Sequence, residues 1–185
     1  MTIQEKQQDL IDEFSIYEDW MDKYEYIIEL GKAVNGLSED NKTKDKLIEG
    51  CQSNVWLACA LQDGKMYFEA DADAIITKGI IGMLLQVYNG ETPQTILQTE
   101  PFFIDEIGLT EHLSPTRANG LLSMVKRIKT EADLRKHLTF IADTCLLLYS
   151  KAVLMYPHIV SLVLNEKINN LLPLQEFFNL ECHCD

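Results

Sequence analysis

The chain has 185 residues, of which 46% are hydrophobic, and a formal charge of −13. That length fits one domain, one able to bury about two thirds of its unfolded surface without disulfides or metal, and the hydrophobic fraction excludes disorder throughout. The acidic balance argues against a general nucleic-acid binder, because phosphate contacts need clustered Lys and Arg.

The first ten residues, "MTIQEKQQDL", lack both the basic start and the apolar stretch of a signal peptide. Residues 3–14 and 17–34 read as two helices. Leu10, Ile11 and Phe14 form a stripe in the first; Trp20, Tyr24, Ile27, Ile28 and Leu30 recur at helical steps in the second. Gly31 and "NGLSEDN" at 35–41 are expected to close the helical stretch.

The period then changes. Val55, Leu57, Cys59 and Leu61 alternate with Trp56, Ala58, Ala60 and Gln62, the two-residue repeat of a strand. "QDGK" at 62–65 is a hairpin signal, since Asp63-Gly64 suits positive φ angles, and "MYFEAD" at 66–71 is the returning strand. The pattern also allows a short strand before Gly50.

Asp73 is the expected N-cap of a helix over 74–88, apolar nearly all round and therefore largely buried. Ser114 and Pro115 mark a second start, with that helix running to about His137. Within it Lys126, Arg127 and Lys129 form the only compact basic group, a solvated helix face or a docking point for an acidic partner. The fold class is α+β, a small antiparallel sheet packed on helices.

Residues 139–185 differ in character. The apolar stretch "CLLLYSKAVLMYPHIVSLVL" at 145–164 is broken by Lys151 and Pro157-His158, which favours an added helix or appendage over a membrane span of ~20 mostly uncharged residues. "ECHCD" at 181–185 offers Cys182, His183 and Cys184 as soft ligands, but adjacent ligands strain tetrahedral zinc geometry, so reactive surface thiols are the expectation. Five cysteines at irregular spacings give no disulfide framework and fit a reducing cytoplasm.

Cys51 follows a glycine just ahead of the alternating run. A thiol there is either a small buried hydrophobe or a nucleophile on a loop. Four stretches bear on that choice: "YEYIIELGK" at 24–32, "GCQSNVWL" at 50–57, "DADAIITKGIIGMLL" at 71–85 and "GLTEHLSPTRANGLLSMVKRI" at 108–128. In this order and spacing they resemble the SufE family of sulfur-acceptor proteins, with the similar CsdE proteins, across roughly residues 5–138.

The resemblance implies a sulfur-acceptor domain over 1–138, with 139–185 an extension of unknown role. It implies that Cys51 accepts persulfide sulfur from a SufS- or CsdA-like cysteine desulfurase, stimulates that enzyme and passes sulfur to a downstream cluster-assembly scaffold. No resident cofactor is expected, because the pyridoxal phosphate belongs to the desulfurase. It also implies a fold shared with IscU-type scaffolds, so cluster assembly on this chain itself is the alternative.

Around Cys51, Gly50 would give the loop freedom, and Gln52 and Ser53 would supply neighbouring hydrogen bonds. Arg117 matches an arginine of the family's "LSPxRxxGL" stretch; it either stabilises a thiolate or persulfide, contacts the desulfurase, or pairs with a carboxylate. Asp73 matches an aspartate near the cysteine loop. Lys78 reads as solvated or snorkelling, His112 as structural, Cys59 as a core thiol of the strand, and Cys145 as an equally unremarkable thiol of the apolar tail.

Overall fold

Alternating apolar residues between 55 and 72 build the hairpin on which the helices pack. The computed structural model describes residues 1–155, with side chains for residues 1–138. Strands β1 (Val55–Gln62) and β2 (Lys65–Ala72) pair antiparallel, from Val55 opposite Ala72 to Gln62 opposite Lys65. At the turn Asp63 and Gly64 have φ of 49° and 75°, the positive values that both central residues of a two-residue turn need. One face of the ribbon carries Val55, Leu57, Met66, Phe68 and Ala70, all buried. A two-stranded ribbon is marginal alone, so the helices that cover this face hold it. The short strand allowed before Gly50 reduces to a single bridge of Leu47 with Trp56.

Helix α1 (Ile3–Ser15) starts with a reciprocal cap, Thr2 Oγ1 accepting from Glu5 N at 3.2 Å and Glu5 Oε2 from Thr2 N at 2.6 Å. Helix α2 (Trp20–Ala33) is capped by Asp19, whose carboxylate accepts from Met21 N and Asp22 N. Helix α3 (Ile75–Tyr88) is buried over most of its surface, as its apolar sequence predicts. Gly31 does not end α2. It lies inside the helix, where a Cβ would fall 2.8 Å from Gly79 N, while a Cβ on Gly79 would overlap Ile27 O. Its role is close approach of two backbones, not punctuation.

Three short helices fill the stretch to residue 114: α4 (Pro93–Gln98), α5 (Phe103–Ile107) and α6 (Leu109–His112). They are too short for periodicity to reveal, although Thr92-Pro93 carries the same start signal as Ser114-Pro115, and Thr92 Oγ1 does cap Thr95 N. His112 is structural: its ring stacks on Trp20 at 3.9 Å between centroids, and its carbonyl accepts from Tyr24 Oη. Helix α7 (Pro115–Met155) buries Leu121, Met124, Val125, Ile128 and Ala132 along one stripe. It runs past the expected end at His137, because no glycine or proline interrupts residues 121–156. The chain divides into two units, Met1–His137 and Leu138–Asp185, and the packing described here is that of the first.

Two expectations at the β2–α3 junction are corrected. Asp73 does not cap α3; Ala74 holds the cap position without a side-chain bond, and the Asp73 carboxylate accepts from Asn54 Nδ2 at 2.6 Å. Lys78 is not simply solvated, since its Nζ lies 2.9 Å from Asp71 Oδ1. Asp71 Oδ2 also meets Lys42 Nζ at 3.1 Å, and Lys42 sits over the Trp56 ring. Burial pushes the Asp71 carboxyl up, but the two ammoniums and the Ala72 N–H outweigh it and hold the group below the usual carboxylate value. Nor is the basic group on α7 an open face: Arg127 donates to Glu131 and to Asp45 O, and Lys129 lies 3.8 Å from Glu100.

Among the described residues no helix is long and apolar enough to cross a membrane. Residues 156–164 of the apolar stretch, with the Pro157-His158 pair, and the "ECHCD" end lie outside the described residues, as does the side chain of Cys145.

Candidate functional site

The segment from Gly50 to Asn54 links the Leu47 bridge to β1 and must turn sharply to do so. Gly50 supplies the turn with φ of 89°, and a Cβ there would fall 2.7 Å from Ser123 Oγ on α7. Both the dihedral and the close approach call for glycine. The next residue, Cys51, is thereby set against α7, its Sγ 3.6 Å from Gly120 O. Gly120 is the position on that helix where a side chain would crowd the sulfur, a Cβ falling 3.4 Å from Sγ.

The rest of the loop is tied on two sides. Toward α7, Thr116 Oγ1 donates to Gln52 Oε1 at 3.2 Å. Toward α3 and its lead-in, Ser53 Oγ donates to Thr77 Oγ1 at 3.0 Å, and Asn54 makes its bond to Asp73. Each of these is a side-chain bond of about 1 kcal/mol net, so the loop is positioned without being locked.

Between the loop, α3 and the start of α7 lies a recess of about 240 Å³. Cys51, Gln52 and Ser53 form one wall, Thr77 and Ile80 another, Arg117 and Met124 a third. Cys51 is half-buried there, and burial pushes its thiol above the usual range. Arg117 is partly exposed on the wall, and among the described residues its guanidinium makes no ion pair or hydrogen bond. The recess thus combines a shielded sulfur with an uncommitted cation, a setting that suits an anionic sulfur species.

Of the residues singled out by sequence, Cys51, Gln52, Ser53 and Arg117 line this recess together. Gly50 shapes it from behind, and Asp73 acts on it only through Asn54. Thr77, Thr116 and Gly120 were not singled out, although all three lie inside the resembling stretches. Cys59 is outside the recess and is not a fully buried core thiol: half-buried on β1, its Sγ donates to Glu131 Oε2 at 3.2 Å.

Comparison with known proteins bears on family and fold. The SufE profile, described as an Fe-S metabolism associated domain, matches residues 8–132. An uncharacterised SufE-like protein of Rhizobium etli is 43% identical over 131 residues, 68% of this chain and 88% of that protein. A second, from Rhizobium meliloti, is 39% identical over 129 residues, 67% of this chain and 92% of that one. The solution structure of a hypothetical protein from Thermus thermophilus superposes with a TM-score of 0.60 at 22% identity, covering 72% of this chain and 96% of that one, which speaks for the fold alone.

Proposed function

The chain belongs to the SufE family, associated with iron–sulfur metabolism, and from that premise we propose that Cys51 accepts persulfide sulfur from a cysteine desulfurase. The observation that carries this reading is the recess, lined by both a half-buried thiol and the guanidinium of Arg117, which is unpaired among the described residues. At rest, burial raises the thiol and screens it in part, which slows its reaction with stray oxidants and free thiols. On docking, the Cys51 thiolate attacks the outer sulfur of the donor persulfide. A new S–S bond forms at Cys51, the old S–S bond breaks, and the donor cysteine leaves as a thiolate, with no oxidant or reductant consumed. Arg117 is placed to offset the negative charge that appears in the recess.

The loop's few side-chain bonds let Cys51 move out to meet a partner and return. The pyridoxal phosphate that generates the sulfur stays with the desulfurase, and the iron–sulfur cluster is built downstream on a scaffold. Cluster assembly on this chain has less support: among the described residues no group of three or more His, Cys, Asp or Glu side chains is placed to hold a metal.

The test is to incubate the protein with a cysteine desulfurase and free cysteine, then measure intact and peptide masses without reductant. One added sulfur on Cys51, absent without the desulfurase and absent in Cys51→Ser, is the expected result. A serine variant sulfurated to the same extent as the parent would refute it.

A further inference from the structure

Two thiols face the same side of α7. Cys51 Sγ meets Gly120 O, and Cys59 Sγ meets Glu131 Oε2. Gly120 and Glu131 lie three turns apart on that helix, which separates the two sulfurs by about 16 Å at 1.5 Å per residue. A disulfide needs Cα atoms within about 7 Å, so Cys59 is not a resolving partner for Cys51. It is half-buried and packs against the margin of the core.

Its carboxylate neighbour is unusually constrained. Glu131 Oε1 accepts from Arg127 Nε at 2.9 Å, and Oε2 accepts from Arg135 at 2.6 Å. Both carboxylate oxygens are thus held in place by guanidiniums, and Oε2 also accepts the Cys59 S–H at 3.2 Å. Across the hairpin Cys59 faces Phe68, which brings no charge. Among the described residues, the charged groups that act on the thiol are Glu131, Arg135 and Arg127, all on α7.

We propose that Glu131 is a specificity-determining residue, holding Cys59 as a protonated thiol so that sulfur is placed on and kept at Cys51 alone. The functional half of this rests on the sulfur-acceptor reading of Cys51. Burial and the Glu131 carboxylate together push the Cys59 thiol up to about 12, against the opposing pull of Arg135 and Arg127. An ionised Cys59 would be a second nucleophile. Its thiolate, attacking the outer sulfur of a persulfide on another molecule, would form one S–S bond as the other broke, and carry the cargo to the wrong site. Neutralising Glu131 removes its share of the upward push and leaves the lowering pull of Arg135 and Arg127, so the thiol ionises more readily although burial still raises it.

Site-resolved alkylation of the full-length chain with iodoacetamide at pH 8, read by peptide mass mapping, tests this without any desulfurase. Wild-type Cys59 should react far more slowly than Cys51. Glu131→Gln should speed Cys59 at least about tenfold, the gain for one unit of thiol pKa, with the Cys51 rate unchanged. Arg135→Gln, which loosens the same cluster but keeps the carboxylate, should leave Cys59 slow. The proposal is overturned if wild-type Cys59 reacts as fast as Cys51, if Glu131→Gln changes nothing, or if Arg135→Gln speeds Cys59 equally, since that would mean loosened packing. Failure of sulfur acceptance at Cys51 would leave these alkylation rates unaffected, so the two readings fail separately.

Discussion

A thiol that is half-buried and bonded only to a helix carbonyl gains nothing from ionising, and this is the state of Cys51 at rest. A raised pKa means a smaller thiolate fraction at every pH below it. The alkylation rate of Cys51 should therefore rise along a curve displaced above the ~8.5 midpoint of an ordinary cysteine. Arg117→Ala should leave that resting curve in place, because burial alone raises the thiol and the guanidinium makes no bond to it. The same substitution should slow transfer from a desulfurase on the order of tenfold, through loss of one charge-assisted contact in the recess. Iodoacetamide rates between pH 6 and 10, with sulfur transfer measured in parallel, check both halves. A resting curve that moves by a full unit in Arg117→Ala would place the cation on the thiol already and contradict the geometry.

At the level of elements, the crossing of α2 and α3 sets where the recess opens, because α3 carries Thr77 and Ile80. The crossing depends on Gly31 and Gly79 meeting backbone to backbone. Gly79→Ala should gain about 1 kcal/mol of helix propensity, but the overlap with Ile27 O forces the helices apart, and net destabilisation of about 3 kcal/mol is expected by urea unfolding. A variant as stable as the parent would mean the helices slide at little expense. The hairpin was legible in the sequence because its two signals are local, a two-residue period and Asp63-Gly64. The start of α3 was misread for the opposite reason. Asp73 has the chemistry of a cap, but its carboxylate is taken by Asn54, nineteen positions earlier, and no local pattern encodes that bond. The recess was legible by half on the same grounds. Cys51 and Arg117 stand out in their own segments, whereas Thr77, Thr116 and Gly120 gain meaning only when three distant segments meet.

On the scale of the molecule, an excess of carboxylates works against compactness, while one of them, Asp71, anchors the loop before β1 and the first turn of α3 to the end of β2. These two influences respond oppositely to acid. Partial neutralisation of the −13 charge on going from neutral toward pH ~5 relieves self-repulsion and should raise stability. Asp71 has a folded pKa below its ordinary 3.8, so its contribution is fully present above that value and is lost as pH falls through the folded one. Glu5 in the α1 cap, lowered first by its backbone bond to Thr2, changes in the same direction. Stability should therefore peak on the acidic side of neutrality and drop steeply below pH ~4. Asp71→Asn, which leaves two ammoniums facing a neutral amide, should be less stable by about 2 kcal/mol near pH 7. Urea titrations at a series of pH values separate the charge from the packing. If the ion triad acts through the ionised carboxylate, the gap between parent and Asp71→Asn stays constant above pH ~5 and closes below 3.8 as Asp71 protonates. A gap that persists unchanged to pH ~2 would mean that the amide fails by shape or hydrogen-bond geometry, and that the pairing with Lys42 and Lys78 stabilises nothing through its charge.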